Sequence, residues 1–167
     1  MHQRSFDTLI YHFARAYMTN PPEKRSPRGT RARSVARKVA MQALYQWQLT
    51  GHSAADLNLQ FLEDEETAGA DREYLTELIK GCIGQSEKIN AAIVPFIDRP
   101  LEQLDPVETA ILMIGLYELK DRIEIPYRVV INEAVDLCKR FGATDAHKYV
   151  NAVLDRAARE IRAEERK

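Results

Sequence analysis

Glycine and proline are both scarce, seven of each in 167 residues. That scarcity excludes collagen-like and proline-rich chains and leaves most of the length free for regular structure. Only two cysteines occur, Cys82 and Cys138, and neither belongs to a CxxC pair. That argues against a disulfide framework and against metal or catalytic use of either thiol, and the spacing predicts two small buried hydrophobes. No apolar run approaches the roughly 20 residues needed to cross a bilayer. The segment LIYHFARAYM is interrupted by His12 and Arg15 and lacks a small-residue cleavage site, so it does not read as a secretory signal. These absences predict a cytosolic protein with no membrane partner. Alternating β-branched runs are missing too, so no sheet is expected.

What remains is helical periodicity. Hydrophobic residues make up 45% of the chain, and a domain of this length buries roughly 70% of its unfolded surface, enough for a real core. Ala36, Val39, Ala40, Ala43, Leu44 and Trp47 form one apolar stripe, closed by Gly51. SAADLNLQFLEDEE predicts a shorter helix, and DREYLTELIKGCIGQ a third with Leu75, Leu78, Ile79 and Cys82 on one face. SEKINAAIVPFIDR carries Pro95, which should kink or end a fourth. In LDPVETAILMIGLYELK, Asp105 can cap, Pro106 takes the first helical position and Glu108 completes a capping box. Apolar residues surround most of that helix, which predicts a central, buried position. YRVVINEAVDLCKRFG aligns Val130, Ile131, Ala134, Cys138 and Phe141 before Gly142. A last helix from about Asp145 aligns Val150, Val153, Leu154, Ala157 and Ile161. The predicted fold is all-α: one compact domain of about seven helices, with halves near 31–98 and 99–167. Residues 1–30 form a basic extension with the linker TNPPEKRSPRGT, and Met18 is a candidate translation start.

Charge is divided unevenly. Residues 1–40 hold nine Lys/Arg against two acidic residues, a net +7, while the rest hold 15 basic against 23 acidic, a net −8. A basic head on an acidic body fits a polyanion-binding end and a second surface for another partner. A solvated tail that binds nothing would have the same composition. At about 100° per residue, Arg33 and Arg37 fall along the edge of the first helix's apolar stripe. Arg31, Lys38 and Tyr45 share the opposite face. An exposed aromatic among cations can stack a base between phosphate contacts; packing of Tyr45 against another helix fits the wheel equally well.

Three stretches, RARSVARKVAMQALYQWQL, DPVETAILMIGLYEL and IPYRVVINEAVDLCKRFGATDAHKYVNAVLD, together resemble the NusB family of bacterial transcription antitermination factors. The resemblance covers roughly residues 31–161. It implies an all-helical fold of two subdomains with no catalytic residues, no metal and no cofactor. It also implies binding to single-stranded boxA RNA as a heterodimer with NusE, a small-subunit ribosomal protein, within an antitermination complex on RNA polymerase. By position it assigns RNA contacts to Arg31, Arg33, Arg37, Lys38 and Tyr45 of the first helix, and to Asp145 and Tyr149 of the last. Where the family commonly has phenylalanine, Tyr149 keeps a stacking face and adds a hydroxyl. Glu108, Leu112 and Tyr117 of the central helix are assigned to the protein interface. The basic tract here is more dispersed than an unbroken arginine run, with Ser34 and Val35 inside it, and about 27 residues precede it.

Catalysis finds no support in the residues themselves. Asp145 and His147 lie two apart, so on a helix they point in different directions and make no acid–base pair. Near RNA a carboxylate repels phosphate yet accepts hydrogen bonds from base amino groups, trading affinity for specificity. Rival readings are a purely protein-binding helical module, or a helical domain like those fused to ribosomal RNA cytosine methyltransferases. The latter would need a Gly-rich α/β cofactor domain, which these 167 residues do not contain. Homodimerisation through an unpartnered interface also stays open. On this reading, charge reversal at both Arg33 and Arg37 should abolish RNA binding and leave the fold intact.

Overall fold

In the computed structural model, residues 27–167 are described. The expected N-terminal extension up to residue 26, including Met18, lies outside the described residues. Seven α-helices follow: α1 Thr30–Thr50, α2 Ala54–Leu62, α3 Arg72–Gly84, α4 Ser86–Ile93, α5 Pro106–Asp121, α6 Tyr127–Phe141 and α7 Ala146–Ile161. Short 3-10 turns at Glu65–Thr67, Val94–Phe96 and Leu101–Gln103 join them. No strand occurs among the described residues.

Local chemistry explains most of the boundaries. The α1 helix ends at Gly51, whose φ of 68° is left-handed and whose N–H reaches the Trp47 carbonyl at 2.9 Å; a residue with a Cβ would be strained there. Side-chain oxygens of Ser53, Asp71 and Asp105 accept from the backbone N–H of Asp56, Tyr74 and Val107 at 3.1, 3.1 and 2.8 Å, capping α2, α3 and α5. Pro106 occupies the first turn of α5, and α4 stops at Ile93 just before Pro95.

The α5 helix is the axis of the molecule. Every residue of 109–119 is buried, and α1, α3, α4, α6 and α7 all pack against it. Such a helix has no outer face. Close approach requires small residues: a Cβ on Gly115 would lie 2.9 Å from both terminal methyls of Leu154 on α7, and one on Gly81 would lie 2.6 Å from the Tyr117 ring. Buried residues from both expected halves, from Ala36 to Ala158, belong to one hydrophobic cluster. Cys82 and Cys138 are free and buried within it, and burial pushes both thiols up, Cys138 to about 12.

Inside this apolar core lies an ionic cluster. Arg37 of α1 is only 3% exposed and donates from Nε and Nη2 to both oxygens of Glu118, itself 1% exposed, at 2.8–3.1 Å. The Tyr74 hydroxyl of α3 donates to Glu118 at 2.5 Å. Burial alone would lower the Arg37 pKa, but its hydrogen bonds and attraction to Glu118 outweigh that and raise it. Burial and the neighbouring Glu118 charge raise that of Tyr74. A second buried arginine, Arg162, donates to the carbonyls of Glu118, Leu119, Arg122 and Ile125 at 2.7–3.1 Å. It satisfies orphan acceptors at the end of α5 with a cation on the favourable side of the helix dipole.

Three site assignments are corrected here. Arg37 lies inside the protein rather than on the edge of the stripe, because its fork is consumed by Glu118. Leu112 is fully buried, and Tyr117 is 6% exposed with its hydroxyl donating to Glu77 at 3.0 Å, so neither presents a protein-binding surface. The double reversal of Arg33 and Arg37 would therefore break the fold, since an acid at position 37 would face Glu118. Arg37→Ala is expected to cost about 3–5 kcal/mol, the usual loss when one partner of a buried pair is removed. The paired change Arg37→Met with Glu118→Leu should recover most of that in urea denaturation. Equal losses for the single and paired variants would mean that the unpaired charge is not the cause.

Candidate nucleic-acid interface

One end of the molecule gathers aromatic and charged side chains from four helices. Tyr45 of α1, 40% exposed, shares a groove of about 260 Å³ with Met41, Gln42, Val107 and Phe141. Phe141 is the last residue of α6 and is 38% exposed. The Arg140 guanidinium lies 5.0 Å from the Phe141 ring centroid. An apolar floor, two solvent-facing rings and an adjacent cation are the components of a base-stacking platform. The exposed face that the helical wheel left open for Tyr45 is therefore real, although one edge of it does meet α5 and α6.

Glu108 follows Val107 on the first turn of α5 and is half-buried. Burial raises its pKa, the nearby Asp105 adds to that, and Arg99 opposes it. Arg99 also lies 4.6 Å over the Tyr149 ring of α7 and pairs with Asp98 at 2.9 Å. Tyr149 is thus half-buried, with a guanidinium already on its ring. Its hydroxyl is buried beside Asp98. Burial raises its pKa. Asp145 precedes α7 in a left-handed conformation, φ 66°, and its side chain caps no N–H. Its carboxylate is exposed and meets Lys148 at 3.2 Å.

The basic residues of α1 occupy unlike environments. Arg31 is exposed in the first turn and forms no ion pair among the described residues. Lys38 is half-buried, its Nζ 3.8 Å from Glu66 in the turn after α2. Arg33 lies 4.7 Å over the Tyr74 ring and lines a hollow of about 530 Å³ with Arg28, Glu73, Glu124 and Val129. Tyr45, Val107, Glu108, Phe141, Asp145 and Tyr149 thus cluster near the α5 and α7 N-termini, while Arg31 and Arg33 stand at the start of α1.

Sequence reasoning missed Phe141, Arg99 and Tyr74. Periodicity places Phe141 on the apolar stripe of α6, yet it ends the helix beside Gly142 and follows Lys139 and Arg140. An aromatic after two cations at a helix end was the available signal. Nothing local distinguishes Arg99 or Tyr74, whose importance comes from tertiary contacts. Among the described residues no group of three or more His, Cys, Asp or Glu side chains is placed to hold a metal, and no helix is long and apolar enough to cross a membrane.

The NusB family model matches residues 34–159. The Alcanivorax borkumensis transcription antitermination protein NusB is 48% identical over 137 residues, covering 82% of this chain and 91% of that protein. The Marinomonas protein of the same name is 41% identical over 151 residues, covering 88% and 87%. Among solved structures, T. maritima NusB superposes with a TM-score of 0.69 at 29% identity, covering 80% of this chain and 93% of that one. A crystal structure of the antitermination factors NusB and NusE in complex with double-stranded RNA gives 0.66 at 27% identity, covering 77% and 97%. With its motifs, its helical order and these relatives in agreement, the chain belongs to the NusB family.

Proposed function

We propose that the chain is a non-enzymatic RNA-binding antitermination factor. It recognises boxA RNA as a heterodimer with the ribosomal protein NusE and acts in the cytosol on elongating RNA polymerase. The observation that carries this reading is the rim at the starts of α5 and α7, where Tyr45, Phe141 and Tyr149 lie among Arg99, Arg140 and Lys148. Stacked bases contribute roughly 1–3 kcal/mol each and phosphates supply the salt-dependent remainder. The solved NusB–NusE relative holds RNA, which supports both partners for this chain. The net negative charge beyond residue 40 suits a basic protein partner.

The accessible cations of this reading are Arg31, Arg33, Lys38 and Arg140. Four phosphate contacts on a single strand should give a log K against log salt slope of about −3. Titration of labelled single-stranded boxA RNA at several salt concentrations, with a scrambled strand and a duplex as controls, measures it. A flat response, or equal affinity for all three, would count against specific recognition of the boxA strand. Asp145→Asn removes an exposed negative charge next to the aromatic rim and should tighten RNA binding at fixed salt; weaker binding would count against its place in the site. Light scattering with and without NusE should show any homodimer giving way to a one-to-one complex, with RNA affinity rising as NusE extends the surface.

A further inference from the structure

Tyr74 of α3 stands outside the residues taken above as RNA contacts, yet three guanidinium groups surround its ring. Arg33 lies 4.7 Å, Arg122 5.0 Å and Arg37 5.5 Å from the centroid. These cations are not equivalent. Arg37 is bound by Glu118, and Arg122 by Glu77 and Glu124. Arg33 has no carboxylate within ion-pair distance among the described residues, so its head group rests on the ring. The acids around the adjoining hollow have nearer partners: Glu73 pairs with Arg28 at 3.6 Å, Asp71 caps α3, and Glu124 pairs with Arg122 at 2.6 Å while feeling Arg33 only at longer range.

The ring is itself immobile. Tyr74 is 3% exposed, its hydroxyl is tied to Glu118 and its N–H to Asp71. A guanidinium lying on such a ring keeps its charge and its outward donors while losing much of its rotamer freedom before any ligand arrives. Arg33 also lies one turn before Arg37, so the bond that buries Arg37 sets the rotation of α1 and carries Arg33 onto the ring.

We propose that Tyr74 is a positioning residue for RNA binding: its buried ring holds the Arg33 guanidinium at the edge of the hollow beside Arg28, ready for an RNA phosphate. This rests on the RNA-binding reading above. The Glu118–Arg37–Tyr74 cluster then has two roles, joining three helices and presenting a cation from the interior side of α1.

A double-mutant cycle on the full chain with labelled single-stranded boxA RNA tests it. Arg33→Ala should weaken binding about tenfold, the loss of one charged hydrogen-bonding contact. Tyr74→Leu should weaken it about threefold to tenfold and add nothing once Arg33 is already alanine. Tyr74→Phe keeps the ring and removes only the hydroxyl, so it should lower stability while leaving affinity within about twofold of the parent. In the free parent protein, the Arg33 side-chain proton resonances should be displaced upfield by the ring, and the displacement should survive in Tyr74→Phe. Additive losses from Arg33→Ala and Tyr74→Leu would overturn the positioning role alone. No loss from Arg33→Ala would overturn the RNA contact at Arg33 and the positioning role with it. If Tyr74→Leu does not fold, random-coil positions for the Arg33 resonances overturn the proposal by themselves.

Discussion

Placing two opposite charges in the interior next to α5 is the constraint around which the rest is arranged. Desolvating an arginine and a glutamate costs several kcal/mol for each ion, and mutual attraction offsets this only with near-complete hydrogen bonding. Glu118 meets that condition with its paired bonds from Arg37 and a third from Tyr74. Each of its partners comes from a different helix, so the cluster fixes α1, α3 and α5 relative to one another in a way that apolar packing would not. The Glu118 backbone carbonyl accepts from Arg162 as well. The residue therefore ties α1 and α3 to the segment that closes α7 over the end of α5. An apolar core of the same volume could be as stable; what the charges add is a defined rotation for α1.

That rotation determines what α1 can show to solvent. With Arg37 turned inward, Tyr45 two turns later emerges beside Phe141, and Arg33 one turn earlier emerges over Tyr74. Because α5 is enclosed by its neighbours, the residues proposed to meet RNA cannot lie along it. They lie at its entrance, on the loop before it and at the junction of α6 with α7. Helix ends also leave backbone groups and side chains unpaired, and rings and cations collect there without disturbing the packing. Glu108, half-buried at this rim with its pKa raised by burial, belongs to the same boundary between core and surface.

Much of this was legible from local signals. Gly51, Asp105, Pro95 and Pro106 marked boundaries through chemistry that acts within a few residues, and the structure places helix ends at or beside each. The enclosed nature of α5 followed from its apolar residues on all sides. The same reasoning failed at Arg37. A helical wheel gives the angle of a side chain and not its partner, and Glu118 lies 81 positions away. An arginine at the edge of a stripe reads as solvent-facing unless that carboxylate is known. Leu112 and Tyr117 failed in the complementary way: position in a family motif does not report that every side of the helix is covered. Phe141 was misjudged because periodicity does not register that a helix is ending.

A common arrangement recurs at rings from the surface to the buried Tyr74. Arg99 covers Tyr149, Arg140 lies over Phe141, Arg33 over Tyr74, and Arg128 and Arg166 over Tyr127. A base arriving at Tyr149 must displace the guanidinium or stack upon it. Stacking upon it loses no existing contact, because a guanidinium offers a second flat face as well as in-plane donors for phosphate. Lysine has neither the plane nor the fork, so it could keep the charge at these positions and still fail to present it. The dispersed basic tract, in which Ser34 and Val35 replace what could have been further arginines, is consistent with that economy. Cations held on rings need fewer companions than a flexible basic tail, since less conformational freedom is lost when the nucleic acid binds.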